Sequence, residues 1–164
     1  MDSPARPRAL LEAAYTTGSL TTIATGGALL GLGMREAEPS RVFRLAGRGL
    51  LEGLGVTSLA APLTSVAVGY LDHLLVASVW GVALGLVVLP RRGLWRPLAA
   101  LLAAALYTWL SVTLLPAGLR IGYAVTSSTA AAVPIGIALA VALLGGGWLY
   151  SVADDPEDTL SDTP

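Results

Sequence analysis

The apolar run from Leu63 to Leu89 is the feature that most constrains how this chain folds. Its sequence, LTSVAVGYLDHLLVASVWGVALGLVVL, is interrupted by only one carboxylate, Asp72, and one imidazole, His73. An α-helix rises about 1.5 Å per residue, and about 20 apolar residues cross the hydrocarbon of a bilayer. The run therefore predicts a membrane-spanning helix. Pro62, directly before it, suits a helix start, because a missing N–H is harmless there.

The composition of the whole chain extends this prediction. Of its 164 residues, 54% are hydrophobic and 13% are charged, whereas about a quarter of an ordinary soluble domain is charged. Three further apolar stretches complete an all-α polytopic membrane protein with a single domain over 1–153. Its four transmembrane helices are predicted at about 9–33, 63–89, 98–115 and 128–150. Residues 154–164 are acidic, lack a hydrophobic pattern and are predicted to be disordered.

The first predicted span is rich in glycine and threonine. Gly18, Thr22 and Gly26 fall on one helical face, while Gly27 and Gly31 are separated by three residues. Small residues at such spacing let helix backbones approach closely in lipid, so both sets are predicted to be packing faces. Threonine hydroxyls bond to carbonyls of their own helix, so they are compatible with a span.

A second kind of helix is predicted between the first two spans, over about 40–54. Its charged residues recur at intervals of three, four and four, which places them on one stripe: Arg41, Arg44, Arg48 and Glu52. Apolar residues cover the rest of its surface. This pattern is typical of an amphipathic helix that lies in the membrane interface. Ser40 is the predicted N-cap.

The distribution of arginine does not decide the orientation by the positive-inside rule. With four spans, each side carries five arginines: Arg6, Arg8, Arg91, Arg92 and Arg96 on one, and Arg35, Arg41, Arg44, Arg48 and Arg120 on the other. We expect both termini to be cytoplasmic, because the 90–97 turn is short and its arginines adjoin the ends of two spans.

Asp72, His73 and Arg120 form a candidate intramembrane polar cluster, because the predicted topology brings them towards one membrane face. If the helix enters the membrane at Leu63, Asp72 and His73 lie two to three turns inside it. If it enters at Tyr70, both are interfacial. We hypothesise that Asp72 pairs with Arg120 or His73, since an isolated charge at the bilayer centre costs about 2.5 kcal/mol or more. The alternative is that both residues are solvated at the interface.

Several classes of chemistry find no support in the sequence. The absence of cysteine excludes disulfides, thiol catalysis and Cys-ligated zinc or iron–sulfur clusters. His73 is the single histidine, so a bis-histidine site within one chain is excluded, and a proton-relay or metal-ligand role has no second ligand to support it. The chain also lacks a phosphate loop and the common hydrolase motifs. We therefore expect no enzyme, no cofactor, no metal and no nucleic-acid partner.

Several short motifs resemble the YagU-like family of small prokaryotic inner-membrane proteins. They are the stretch 72–79 (DHLLVASV), Leu89-Pro90, Gly93-Leu94-Trp95, the Leu115-Pro116-Ala117-Gly118 end of an alanine-rich helix, and the Gly/Thr-rich region 17–27. The resemblance implies a four-span protein of the prokaryotic inner membrane. Members often have a second histidine early in the last span. The corresponding region here, 132–136, has none, which argues against a paired-histidine function.

The leading function hypothesis is a non-enzymatic structural or accessory subunit of a larger membrane assembly. Such a subunit would dock through its small-residue faces, and its partners would be the lipid bilayer, other membrane subunits or further copies of itself. The alternative is a transporter or channel for small solutes or protons that works as an oligomer through Asp72 and His73. A subunit is expected to expose a small-residue stripe, and a transporter is expected to have a water-accessible cavity at Asp72.

Overall fold

The computed structural model describes residues 5–122 and 129–154. Within these ranges the fold is all-helical and contains no strand. The α-helices are α1 (Ala5–Met34), α2 (Arg41–Gly53), α3 (Pro62–Val88), α4 (Trp95–Thr113) and α5 (Thr129–Asp154), with single 3-10 turns at Thr57–Leu59 and Ala117–Leu119. Each helix begins and ends within a few residues of its prediction. The predicted disordered tail beyond Asp154 lies outside the described residues.

Helix α1 lies between α3 and α5 and runs antiparallel to both. Gly18 of α1 contacts Val82 of α3, and Gly26, two turns later, contacts His73, so the residue numbers run in opposite directions. On the other side of α1, Thr17 packs against Gly146 near the end of α5. The predicted face of Gly18, Thr22 and Gly26 is therefore the one that meets α3.

Helix α4 packs antiparallel against α5. Gly136 of α5 lies directly against Thr108, and Gly147 lies against Arg96 at the start of α4. These contacts place the start of α1, the α3–α4 turn and the end of α5 at one end of the bundle, which we call the basic end. The α1–α2 connection and the start of α3 lie at the opposite end.

The buried face of α3 is a stripe of residues spaced four apart, and all but one of them are small. Gly81 shows how close the packing is: an added Cβ would lie 2.6 Å from the Thr21 hydroxyl oxygen and 2.8 Å from the Gly18 Cα atom. Such contact between backbones is possible only where side chains are absent or small. The stripe is Ser65, Gly69, His73, Ala77, Gly81 and Gly85.

Helix α2 forms an antiparallel hairpin with the first turns of α3. At the crossing point, a Cβ atom on Gly47 would collide with the Ser65 carbonyl, and one on Gly69 would collide with the Phe43 carbonyl. Five residues of α2 are buried against its neighbours: Val42, Phe43, Ala46, Gly47 and Leu51. The predicted amphipathic helix is therefore packed on α3. Ser40 is its N-cap residue, but the side chain makes no capping hydrogen bond, contrary to expectation.

The charged stripe of α2 is neutralised by glutamates. Arg44 Nη2 lies 2.8 Å from Glu38, and Arg48 Nε lies 2.7 Å from Glu52. The remaining arginine also forms an ion pair, Arg41 with Glu36.

Three helices of the described chain are long and apolar enough to cross a membrane: Pro62–Val88, Trp95–Thr113 and the Thr129–Val152 part of α5. Helix α1 is not among them, because its many Thr and Gly residues lower its mean hydropathy.

Candidate functional site at the α1–α2–α3 interface

His73 is the one large residue in the small-residue stripe of α3, and its side chain is only 2% exposed. Its Nε2 atom lies 3.1 Å from the backbone carbonyl oxygen of Thr22 on α1. A carbonyl only accepts, so we assign the proton to Nε2, which donates this bond. The other ring nitrogen, Nδ1, is buried without a hydrogen-bond partner in the described part of the chain.

The imidazole fits because a glycine stands opposite it. A Cβ atom on Gly26 would lie 3.1 Å from His73 Nε2, a tight contact. On the α2 side, the Phe43 ring meets the imidazole edge-on, with ring centroids 5.7 Å apart. Phe43 also makes an edge contact with Tyr70 at 5.6 Å. His73 therefore lies where three helices meet.

A second polar link joins α1 and α3 near His73. The hydroxyl of Thr22 donates to the Gly18 carbonyl at 3.0 Å, and its oxygen then accepts from Ser78 at 3.0 Å. Two other buried hydroxyls in this region, those of Thr21 and Ser65, have no partner among the described residues. The seam between α1 and α3 is thus unusually polar for apolar helices.

Asp72 is the residue before His73 and lies partly exposed on a different side of α3. Within the described chain, its carboxylate makes no hydrogen bond and no ion pair. Arg120 instead donates from Nε to the Leu115 carbonyl at 2.6 Å. Asp72 and His73 therefore lie on different sides of α3, and neither forms a hydrogen bond or an ion pair with Arg120.

The segment that contains Arg120 contacts α3 at Trp80, about two helical turns after Asp72. Trp80 Nε1 donates to the Leu119 carbonyl at 2.8 Å, and the Trp80 and Tyr107 rings are 5.1 Å apart. The Tyr107 hydroxyl accepts a 2.7 Å bond from the Ile121 N–H. Trp80 therefore packs α3 against α4 and against the segment before Arg120.

Two grooves on the outer surface of the described bundle lie between pairs of helices. One, of about 470 Å³, runs between α4 and α5 and is lined in part by Trp109. Another, of about 500 Å³, runs between α1 and α3 past Tyr15 and Val79. Neither groove is lined by Asp72 or His73. Both grooves are mainly apolar, as expected for surfaces that face lipid.

The sequence identified His73 by its polarity but not its partners Thr22, Gly26 and Phe43. A weak signal was present, since His73 falls on the same four-residue period as Gly69 and Gly81 and a residue of that stripe must meet another helix. Over the described residues, no group of three or more acidic or histidine side chains gathers in a way that would hold a metal ion.

No family model, curated protein or solved structure matches this chain. The class of protein is therefore inferred from the fold and the site alone. The residues that the structure describes form an all-helical bundle in which three helices are long and apolar enough to cross a membrane, which is compatible with a membrane protein. His73, a polar residue that is almost fully buried, is used in a contact between helices.

Proposed function

We propose that this protein is a four-span integral membrane protein and a non-enzymatic accessory subunit of a larger membrane assembly. The fourth span is α1. Its stretch from Ala13 to Met34 carries no formal charge, and most of its Ser and Thr hydroxyls bond to carbonyls of the same helix. Thr17 and Thr25, for example, donate to the carbonyls four residues earlier at 2.8 and 2.6 Å. Helices that satisfy their own polar groups are stable in hydrocarbon.

We further propose that the membrane is a prokaryotic inner membrane, as the YagU-like resemblance implies, with both termini cytoplasmic. The basic end supports this orientation, because Arg91 and Arg92 are exposed and form no ion pair with any described residue. Arginines of α2, at the other end, are paired with glutamates. Unpaired cations near a membrane surface are attracted to the anionic lipids of the cytoplasmic leaflet.

The observation that carries the subunit proposal is an uncovered small-residue face on α1. Gly27 and Gly31 are exposed, and no atom lies within 4 Å of a Cβ added to either. The neighbouring Ile23 on this face is 72% exposed. Gly-x-x-x-Gly faces support close helix–helix contact in lipid, and no described residue of this chain packs on this one. It therefore suits a transmembrane helix of another subunit.

Site-specific cross-linking tests this proposal cleanly, because the chain contains no cysteine. Ile23→Cys places a thiol on the proposed face, and Leu102→Cys, 61% exposed on α4, is the matched control. In native membranes, a thiol-attached photo-cross-linker, which inserts into C–H bonds of whatever lies beside it, should give a discrete adduct of higher mass with Ile23→Cys but not with Leu102→Cys. Adding Gly27→Leu to Ile23→Cys should abolish the adduct. Equal cross-linking of both positions, or none, would contradict the subunit proposal.

A transporter or channel is the second candidate, favoured by the unpartnered Nδ1 atom of His73 inside a predicted span, with Asp72 beside it. Polar groups inside spans often belong to ion pathways. Proteoliposomes loaded with a pH dye test this function. Proton leak above that of protein-free vesicles, lost in Asp72→Asn and His73→Gln, would support it, and the absence of any excess leak would reject it.

A further inference from the structure

The guanidinium of Arg96 is held in one position at the basic end. Its Nε donates to the Arg91 carbonyl at 2.8 Å, and Nη1 donates to the Gly147 carbonyl of α5 at 3.0 Å. The carbon of the guanidinium lies 5.3 Å from the centre of the Tyr150 ring, in the range of a cation–π contact. These contacts fix the group without neutralising its charge.

Gly147 leaves room for this arrangement. A Cβ atom there would lie 3.0 Å from Arg96 Cδ and 3.5 Å from Cγ, so the aliphatic stem of the arginine rests on the bare backbone of α5. The remaining terminal nitrogen, Nη2, makes no hydrogen bond to a described residue. Two donor hydrogens of an immobilised cation are therefore available for a ligand.

An apolar groove of about 360 Å³ begins at Arg96 and runs between α4 and α5. Two exposed tryptophans indicate how deep in the membrane this groove would lie: Trp95 is 71% exposed and Trp148 is 66% exposed. Tryptophan is enriched at the level of lipid headgroups. Besides Arg96 and Trp148, its lining includes the apolar residues Pro97, Ala100, Leu143 and Leu144, and Ser151 is a further polar residue there.

We propose that this groove binds an anionic phospholipid, an inference that rests on the membrane location proposed above. The phosphate accepts hydrogen bonds from Arg96 Nη2, and the exposed Arg91 and Arg92 add positive charge beside it. One acyl chain lies along the apolar groove. The fixed planar donors of an arginine suit a phosphate oxygen pair, and basic pockets between transmembrane helices recognise lipid headgroups.

The charges on the described residues favour this occupant. Arg96 and its neighbours Arg91 and Arg92 form no ion pair with a described carboxylate, whereas Arg44 and Arg48 of α2 do. The acidic stretch after residue 154 is the rival occupant, because it follows α5 from this end. An acidic peptide would match the arginines but not the apolar walls of the groove, whereas a phospholipid matches both.

Native mass spectrometry of the full chain in detergent, titrated with phosphatidylglycerol or phosphatidylcholine, tests the proposal. We expect wild type to bind phosphatidylglycerol preferentially. Arg96→Gln should weaken that binding about tenfold, as expected for a lost charge-assisted hydrogen bond. The double variant Arg91→Gln/Arg92→Gln should weaken it without disturbing the bonds of Arg96. Arg48→Gln, at the opposite end, is the control and should bind as wild type does.

Three results would overturn the lipid site: equal binding of the two lipids, unchanged binding by both arginine variants, or phosphatidylglycerol binding that appears only after deletion of residues 155–164. The last result would show that the acidic stretch occupies the site. If the site fails while the protein still requires detergent for extraction, the proposed membrane location stands. Recovery of the protein in a detergent-free extract would overturn both.

Discussion

Gly26 and His73 form a matched pair, because the absence of a side chain at one makes room for the imidazole of the other. The hydrogen bond from His73 to the Thr22 carbonyl contributes about 0.5–1.5 kcal/mol, while a buried unpaired nitrogen such as Nδ1 costs about 1–3 kcal/mol. By this comparison, His73 is not explained by stability alone. Its position in the stripe agrees with a role in specifying which helices meet or in the alternative transport function.

Gly26→Ala tests whether the imidazole is in tight contact. Alanine favours a helix by about 0.5–1 kcal/mol over glycine, but its Cβ would push the ring away from Thr22. We expect Gly26→Ala to lower the melting temperature in detergent when it is made in the wild-type protein. The same substitution should not lower the melting temperature when it is made in the His73→Ala variant. The coupling should be about 0.5–3 kcal/mol in a double-mutant cycle. Gly27→Ala is the control, because no atom lies within 4 Å of the Cβ that it adds. Additive effects would show that the two residues are not in contact.

At the scale of the element, the seam between α1 and α3 depends on a few positions of the stripe. Gly81→Ala should destabilise the protein by about 1–3 kcal/mol, because its Cβ would press on the Gly18 backbone as well as on Thr21. Gly85→Ala is the matched control on the same stripe, since its Cβ would lie 3.4 Å from Thr17. Thermal unfolding in detergent measures both. Equal losses for the two variants would mean that the helices are further apart than the structure shows.

The α2–α3 hairpin makes an equally specific prediction. Gly47→Ala brings a Cβ into the Ser65 carbonyl, so α2 must move off α3 and expose Phe43. Hydrogen exchange of α2 amides should then be faster, while α4 and α5 are unaffected. Gly53→Ala, at the open end of α2, should leave exchange unchanged. Unchanged protection in Gly47→Ala would contradict the close crossing.

The helices were predictable from sequence, and their contacts were not. The runs around α3 and α5 are long and apolar, so their existence and approximate ends follow from composition and proline positions. The contact of Gly47 with Gly69 depends on the path of residues 54–61, which hydrophobic periodicity does not encode. His73 was identified by its polarity. Its partner was missed because it is the backbone carbonyl of Thr22, a group that every residue has.

For the whole molecule, the membrane topology is the most decisive prediction. In the proposed four-span arrangement, the start of α1 and the α3–α4 turn lie on one side, and the α1–α2 connection lies on the other. Single cysteines at Arg8, Leu94 and Arg35 can report these positions, because all three residues are exposed and the chain has no native cysteine. A membrane-impermeant thiol reagent is applied to sealed vesicles of one orientation. Arg8→Cys and Leu94→Cys should either both be labelled or both be protected, and Arg35→Cys should show the opposite result.

Arg8→Cys is the position that distinguishes four spans from three. If α1 does not cross the membrane, Arg8→Cys will label together with Arg35→Cys, while Leu94→Cys still labels oppositely, because α3 lies between Arg35 and Leu94. The physical question is whether a helix with so many hydroxyls and glycines is stable in hydrocarbon. Most of its Ser and Thr hydroxyls bond to carbonyls of their own helix, as that of Thr22 does to Gly18, and its Gly18 and Gly26 pack against α3. We therefore expect Arg8→Cys to label with Leu94→Cys, which places α1 across the bilayer.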